Sequence, residues 1–361
     1  MKLKNACNRK GFTTGTCAQA AAKAAALMLT TQKIVDKIDI ETPNKTKLNI
    51  GIIDQQKSDR FARATVIKDS GDDPDITDKA KICAEVRLTD KKGIVIKGGR
   101  GVGKATLPGL AIPVGDWAIN PTPRKMIFNE VSKFVPKNKG LEVTISVPEG
   151  RELAKKTFNP QLGIIGGISI IGTTGIVEPK SESAYKTSLS LQLDVLKAQK
   201  YDRLVLILGY VGEKYYQDCF VAIAPRNDTV PPAIKIGDHV GFMLKECAKR
   251  KIREILLIGH IGKLVKIAAG QFNTNYKFGD NRVSTIFKYA KICGANNKIV
   301  GDILKQKTAE ATIDILRKNR LEKIFPKIAS DVSKRGENFV KNEIKLKCII
   351  LSLNGEVLSE N

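Results

Sequence analysis

Ile255-Leu-Leu-Ile-Gly-His-Ile-Gly262 joins a four-residue apolar run to a glycine turn. A run that short is strand-sized, and a glycine at its end lets main-chain N–H groups approach a ligand with no Cβ in the way. The same arrangement recurs where residues 168–171 meet Gly172-Thr173-Thr174-Gly175 and where residues 205–208 meet Gly209-Tyr-Val-Gly212. A fourth run, 233–236, meets Gly237-Asp-His-Val-Gly241. Between and after the runs lie segments of helical period. Residues 183–200 set Leu189, Leu193 and Leu196 on one face; 238–250 set Val240, Met243, Leu244 and Cys247; 282–293 set Val283, Ile286, Phe287 and Ala290. Strands alternating with helices predict a mostly parallel α/β sheet over residues 156–345. All four glycine turns then fall at the carboxyl edge of one sheet, where open α/β folds take ligands. Such a series suits a nucleoside cofactor as well as it suits tight strand-to-helix closure. None of the turns is G-x-G-x-x-G and no P-loop pattern is present, which weakens dinucleotide and P-loop readings.

Outward from that region the text changes. Residues 346–361 read as a closing hairpin on a type I′ turn at Asn354-Gly355, its domain left open. Residues 1–155 read as an α+β domain: one helix, Cys17 to Leu29, whose Thr16 and Gln19 have capping-box spacing, then six strand-like runs at 34–40, 48–53, 62–67, 85–88, 93–96 and 141–147. The turn Pro148-Glu149-Gly150 marks the approach to the boundary. The fold class expected is therefore a two-domain chain, α+β followed by α/β.

The chain has 361 residues, more than one hydrophobic core usually serves. Its longest apolar runs are strand-sized, and Gly11, the nearby threonines and Lys23 interrupt any signal-like stretch before Leu29, so neither a membrane span nor a secretory leader is expected. Seven scattered cysteines, Cys7 among them, form no C-x-x-C pair, which fits a reducing cytoplasm. Lys and Arg outnumber Asp and Glu by 61 to 37, a net +24. A field of that sign attracts polyanions. The lysines are dispersed and aromatics are few, unlike a basic arm with stacking rings, so a small substrate bearing many carboxylates competes with nucleic acid as the partner.

Several residues are candidates for chemistry. His260, one of two histidines, sits inside a glycine turn at the proposed edge and suits proton transfer or a structural hydrogen bond. Asp73 lies in an acidic cluster with Asp69, Asp72, Asp75 and Asp78, a base or an exposed turn, without EF-hand spacing. Cys17 is a thiolate candidate at a helix start or a small packed side chain. The loop Gly98-Gly-Arg100-Gly-Val-Gly-Lys104 is flexible and cationic. Arg124, in Asn120-Pro-Thr-Pro-Arg-Lys125, is either a guanidinium held by prolines to grip a carboxylate or a surface residue. Thr13 and Thr14 lead into a helix N-terminus, suited to an anion or simply to capping.

Seven strings carry a family resemblance: Gly11-Phe-Thr-Thr-Gly-Thr-Cys17, Ile67-Lys-Asp-Ser-Gly-Asp-Asp-Pro-Asp75, Ile96-Lys-Gly-Gly-Arg-Gly-Val-Gly103, Pro108-Gly-Leu-Ala-Ile-Pro-Val-Gly115, Ile119-Asn-Pro-Thr-Pro-Arg-Lys-Met-Ile127, the stretch from Gly163 to Pro179, and Gly259-His-Ile-Gly-Lys-Leu-Val-Lys266. In that order, over most of residues 10–285, they resemble the cobalt-precorrin-5B (C1)-methyltransferase family, CbiD. The resemblance implies transfer of a methyl group from S-adenosylmethionine to C-1 of a cobalt-bound tetrapyrrole, giving cobalt-precorrin-6A in anaerobic cobalamin biosynthesis, and a Rossmann-like second domain. Cobalt arrives in the substrate, so no protein-bound metal is expected. The carboxylates of that substrate give the basic surface a partner, and neither nucleic acid nor a membrane is expected. Homo-oligomerisation and transient contact with neighbouring pathway enzymes are left open.

On this reading Gly172, Thr173, Thr174, Gly175, Gly209, Gly212, Gly259 and Gly262 hold the cofactor. Thr13, Thr14, Arg100, Lys104, Arg124 and Lys263 bind the macrocycle, and His260 or Asp73 assists with a proton. The rivals are a basic nucleic-acid-binding protein and a different nucleotide-using α/β enzyme. Asn275 and Ser284 depart from the resemblance, which places histidine and glutamate there, and residues past about 295 carry little of it.

Overall fold

A computed structural model describes residues 9–179, 181–221 and 230–361; Cys7 lies outside them. The chain divides into two compact units, Met1–Tyr185 and Lys186–Asn361. The division falls thirty residues beyond the expected one at 155, because residues 164–177 pair with strands of the first unit.

In the first unit a helix, α1 (Thr14–Thr31), packs on one face of a five-stranded sheet made of β1 (Ile53–Lys57), β2 (Phe61–Ile67), β3 (Lys81–Thr89), β4 (Gly93–Gly98) and β5 (Gly140–Ser146). The strand order is β1-β2-β3-β5-β4, antiparallel except for the β5–β4 pair. Alternate residues Ile82, Ala84 and Val86 of β3 and Leu141, Val143 and Ile145 of β5 face the core, as a two-residue period requires. Opposite them stand seven fully buried alanines of α1, from Ala18 to Ala26, whose small side chains let the helix axis lie close to the sheet. The cap is Thr13, not Thr16: its hydroxyl accepts from the Thr16 N–H at 3.2 Å, so the helix starts three residues earlier than the sequence spacing suggests. A second helix, α2 (Pro121–Val131), replaces the proline-stiffened turn read from the sequence. Proline at the first helical position costs no hydrogen bond and is already set to helical φ.

The second unit opens in α3 (Glu182–Ala198). Then come β6 (Arg203–Leu208), α4 (Gly209–Tyr216), β7 (Ala233–Lys235), α5 (Val240–Lys249), β8 (Glu254–His260), α6 (Ile261–Ala268) and α7 (Arg282–Ile292). The lysine-rich stretch forms α8 (Asn297–Leu304), α9 (Ile313–Lys318) and α10 (Ile324–Phe339), and β9 (Lys345–Leu351) and β10 (Val357–Glu360) close the unit. The sheet runs β7-β6-β8-β9-β10, with β7, β6, β8 and β9 parallel and β10 antiparallel at the edge. Every residue of β6 after Arg203 is buried, as befits a strand covered on both faces. The carboxyl-terminal hairpin therefore belongs to this sheet. Its turn is not type I′, since Gly355 has φ +85 while Asn354 is absent from the positive-φ residues; Gly355 N–H donates to the Ser352 carbonyl and Ser352 N–H to Glu356, a longer loop with one left-handed residue.

From β6 the chain steps to one side, into β7, and returns to the other, into β8. The order of the sheet therefore reverses between β6 and β8, the position at which open α/β sheets take ligands. Among the described residues no helix is long and apolar enough to cross a membrane.

Candidate functional site

Three of the four glycine turns lie at the carboxyl edge of the second unit's sheet, after β6, β7 and β8. The fourth does not: Gly172–Gly175 belongs to the first unit, because Gly167 and Ile168 pair in parallel with Gly101 and Val102. The remaining glycines have different physical reasons. A Cβ on Gly212 would lie 3.0 Å from the Ile258 carbonyl, one on Gly259 3.1 Å from Leu208 Cβ, and one on Gly262 2.9 Å from the His260 ring. These three permit close packing of helix, strand and cap. Gly209 differs. Its φ is +78, and a Cβ there would meet nothing within 4 Å except the end of Lys263, Nζ at 3.7 Å and Cε at 3.9 Å. It is the glycine that faces open space at the reversal of the sheet.

Lys263, in the first turn of α6, pairs with Asp238 just beyond β7, Nζ to Oδ1 at 3.1 Å. Asp238 is held on both oxygens: the Thr274 hydroxyl donates to Oδ1 at 2.6 Å and the Asn275 amide to Oδ2 at 3.2 Å. Burial pushes this carboxyl up, but the Thr274 hydroxyl, the Lys263 ammonium and Asn275 outweigh it, and the group lies below the usual carboxylate range. The loop that supplies Thr274 and Asn275 is itself anchored by the buried Lys266, whose ammonium donates to the carbonyls of Thr274 and Gly279 at 3.1 and 3.0 Å. Next to these residues stand three exposed aromatics, Tyr210, Tyr276 and Phe278, at 73%, 77% and 62% exposure.

His260 is the N-cap of α6. Its Nδ1 accepts from the Gly262 N–H at 3.1 Å, which leaves the proton on Nε2 to donate to Glu310 Oε2 at 2.8 Å. The other oxygen of Glu310 accepts from the Leu353 N–H at 2.9 Å. With both ring nitrogens engaged, His260 is a strut between the end of β8 and the hairpin loop rather than a proton shuttle.

In the first unit the structure gathers Thr13, Thr14 and the Gly172–Gly175 turn at the start of α1. The Thr13 N–H and the Thr16 hydroxyl donate to the Gly175 carbonyl at 3.1 and 2.7 Å, and the Thr14 hydroxyl exchanges hydrogen bonds with Ile171. Gly172 faces Thr13, where a Cβ would come within 2.1 Å of its hydroxyl, and Gly175 has φ +84 against Thr42. Thr174 sits on the exposed side of this turn, its hydroxyl bonded within the turn to Ile176, and Thr173 stands beside it. The contacts of Thr13, Thr14 and the two glycines are those of a latch, not of an open anion cradle.

The loop at 98–104 behaves likewise. Gly98 makes room for the Trp117 ring, Gly101 for the Val147 carbonyl and Gly103 for Gly167, while Arg100 and Lys104 are exposed, Lys104 lying 4.5 Å from the centroid of Trp117. Arg124 does not present a fork to solvent. Its Nε donates to the Ile119 carbonyl, Nη1 to Ile96 and Nη2 to Trp117, at 2.9, 3.0 and 3.3 Å, so it clamps three backbone segments.

The acidic cluster is a turn organised by cations: Asp69 is paired with Arg9, and Asp75 with the fully buried Lys68 at 2.7 Å. Asp73 lies half-buried in that turn, its N–H on the Ser70 carbonyl. Cys17 is completely buried, and burial raises its thiol far above the usual value, which rules out a resting thiolate. Among the described residues no group of three His, Cys, Asp or Glu side chains is placed to hold a metal ion. Asp238, Thr274 and Glu310 were not marked by the sequence. Only the position of Asp238 after a strand-to-glycine run offered a signal, and the partners that make it notable come from 36 and 37 residues away.

Comparison with known proteins identifies the family of the chain. The family profile described as CbiD matches residues 1–179, and that described as CbiD, C-terminal domain, matches residues 273–361. The cobalt-precorrin-5B C(1)-methyltransferase of Alkaliphilus metalliredigens is 41% identical over 351 residues, 97% of this chain and 92% of the relative. The protein of the same name from Methanobrevibacter smithii is 42% identical over 361 residues, 98% of this chain and 97% of its own length. A crystal structure of the cobalamin biosynthesis protein cbiD from Archaeoglobus fulgidus is 30% identical, spans 75% of this chain and 83% of that one, and superposes with a TM-score of 0.38. With such identity sustained over nearly the full length of both partners, the chain belongs to the CbiD family.

Proposed function

We propose that this protein methylates C-1 of cobalt-precorrin-5B with S-adenosylmethionine as donor, giving cobalt-precorrin-6A, in the cytoplasm. The reaction rests on full-length similarity to relatives that bear its name. The second unit is read as a Rossmann-like cofactor domain, since four of its five strands run parallel and the sheet order reverses between β6 and β8. The observation that carries the site is Gly209, left-handed and open at that reversal. S-adenosylmethionine supplies a sulfonium methyl group. Transfer to C-1 would break the S–CH3 bond and form a C–C bond with an electron pair from the macrocycle, S-adenosylhomocysteine leaving neutral and the methylated macrocycle releasing a proton.

The work left to the chain is positioning, which contributes as much as about 7–11 kcal/mol in favourable systems. Gly209 admits the cofactor to the main chain, and the exposed Tyr210, next to it in the chain, and Tyr276, next to Asn275, are the ring faces assigned to the base. Arg100 and Lys104 are the cations assigned to macrocycle carboxylates, Lys104 being held over Trp117 with its charge exposed. Arg124 leaves that role, because its donors are directed at backbone carbonyls, and Lys263, paired with Asp238 beside Gly209, is read with the cofactor rather than with the macrocycle. His260 leaves the proton-transfer role for the same kind of reason.

The test is incubation with methyl-labelled S-adenosylmethionine and cobalt-precorrin-5B, followed by mass analysis of the pigment. One labelled methyl group on the pigment is the expected result. An unmethylated pigment, together with sequence-independent nucleic-acid binding that salt steeply weakens, would favour the rival reading instead.

A further inference from the structure

Asp238 and Lys263 sit at the reversal of the sheet with capacity to spare. A carboxylate offers about four acceptor positions and an ammonium three donors. Three donors reach Asp238: the Thr274 hydroxyl and Lys263 at Oδ1, and the Asn275 amide at Oδ2. Oδ2 therefore keeps a lone pair. Lys263 gives one proton to Asp238, and its Nζ lies 3.7 Å from where a Cβ of Gly209 would stand. Neither group is sealed, with side-chain exposures of 27% and 32%. Thr274 and Asn275 grip opposite oxygens, so the carboxylate plane cannot turn away, and the same loop is tied down by the buried Lys266.

A fixed acceptor, Oδ2, on the same carboxylate that Lys263 pairs with sets acceptor and donor side by side, as the two neighbouring hydroxyls of a vicinal diol require. One hydroxyl donates to Oδ2 while the oxygen of the other accepts from the ammonium. A phosphate group would meet the ionised carboxylate and be repelled.

Resting on the reading of the second unit as the cofactor domain, we propose that Asp238 and Lys263 together recognise the ribose diol of the nucleoside cofactor, and that this pair selects an unphosphorylated ribose. Asp238 is a binding residue in this assignment. Thr274, Asn275 and Lys266 are positioning residues that act through it.

Calorimetry on the full-length protein separates this assignment from the reading beneath it. S-adenosylhomocysteine is compared with its 2′-deoxy and 3′-deoxy analogues, first on the unaltered protein, which needs no variant to fold. Loss of one hydroxyl is expected to weaken binding about tenfold or more, the range of a charge-assisted hydrogen bond. Asp238→Asn, checked for folding by thermal melting, is expected to bind S-adenosylhomocysteine about tenfold more weakly and to lose little further affinity with the analogue lacking the hydroxyl that Asp238 reads. Deoxy analogues that bind the unaltered protein as tightly as S-adenosylhomocysteine, or losses that add in full in Asp238→Asn, overturn the diol assignment while the cofactor domain stands. Failure of S-adenosylhomocysteine to bind the unaltered protein at all overturns both.

Discussion

Arg124 and Gly209 are each a single residue whose sequence allows two roles, and in each the neighbours select one. Arg124 spends Nε, Nη1 and Nη2 on the carbonyls of Ile119, Ile96 and Trp117. Lysine has no planar fork and cannot satisfy three carbonyls set around one guanidinium. Arg124→Lys should therefore lower the stability of the first unit by about 1–3 kcal/mol, read by urea titration of the fluorescence of Trp117, the chain's one tryptophan. Tetrapyrrole affinity of the folded fraction should stay unchanged, and a selective loss of that affinity would return Arg124 to the substrate. At Gly209 an added methyl group meets only the tip of Lys263 but must accept φ +78, a strain of about 1–2 kcal/mol for an L-residue. Gly209→Ala should melt slightly earlier and bind S-adenosylhomocysteine markedly more weakly in calorimetry. Gly212→Ala, pressed against the Ile258 carbonyl, should lose stability with no separate loss of affinity in the folded protein.

Between elements, the clearest electrostatic joint ties α3 to α5. Glu246 accepts from Lys249 and from Arg250, both at 2.6 Å, and from Ser190 on α3, while Arg250 also reaches Asp194 on α3. Burial pushes the Glu246 carboxyl up, but Lys249 and Arg250 outweigh it and bring it down to about 2. A depressed folded value means that the stabilisation is complete above the ordinary carboxylate range and drains away as pH falls from about 5 towards 2. Glu246→Gln should loosen α3 and α5 by about 1–2 kcal/mol at pH 7, measured as opening free energy by amide hydrogen exchange. The gap between the two proteins should narrow at pH 3, and a gap equally wide at both pH values would show that the charge of Glu246 is not what holds the joint. Helices such as α3, α5 and α7 were legible in the sequence because one apolar stripe every 3.6 residues suffices to reveal them. The Asn120–Lys125 stretch was misread because two prolines signal a turn and a helix start with the same letters, and only the packing of Met126, Ile127 and Val131 decides between them.

At the scale of the molecule, the two-part organisation and the strand-to-glycine edge could be read from periodicity. The boundary could not, since residues 164–177 look like the opening of an α/β sheet and instead return to strands far behind them in the chain. Of the residues now assigned to the candidate site, Gly209 and Lys263 were marked in the sequence, but the pairing of Lys263 with Asp238 joins the ends of two different strand-to-helix turns that no local pattern links. Those long returns also govern when each part is made during synthesis. Strand β8 is flanked on one side by β6, already made, and on the other by β9, which emerges only after residues 261–344 have been translated. Likewise the start of α1, at Thr13 and Thr14, waits for Ile171 and Gly175, near the far end of its unit. Until β9 is made, one side of β8 stays unpaired, so an incompletely synthesised chain offers a buried-type apolar strand to other chains.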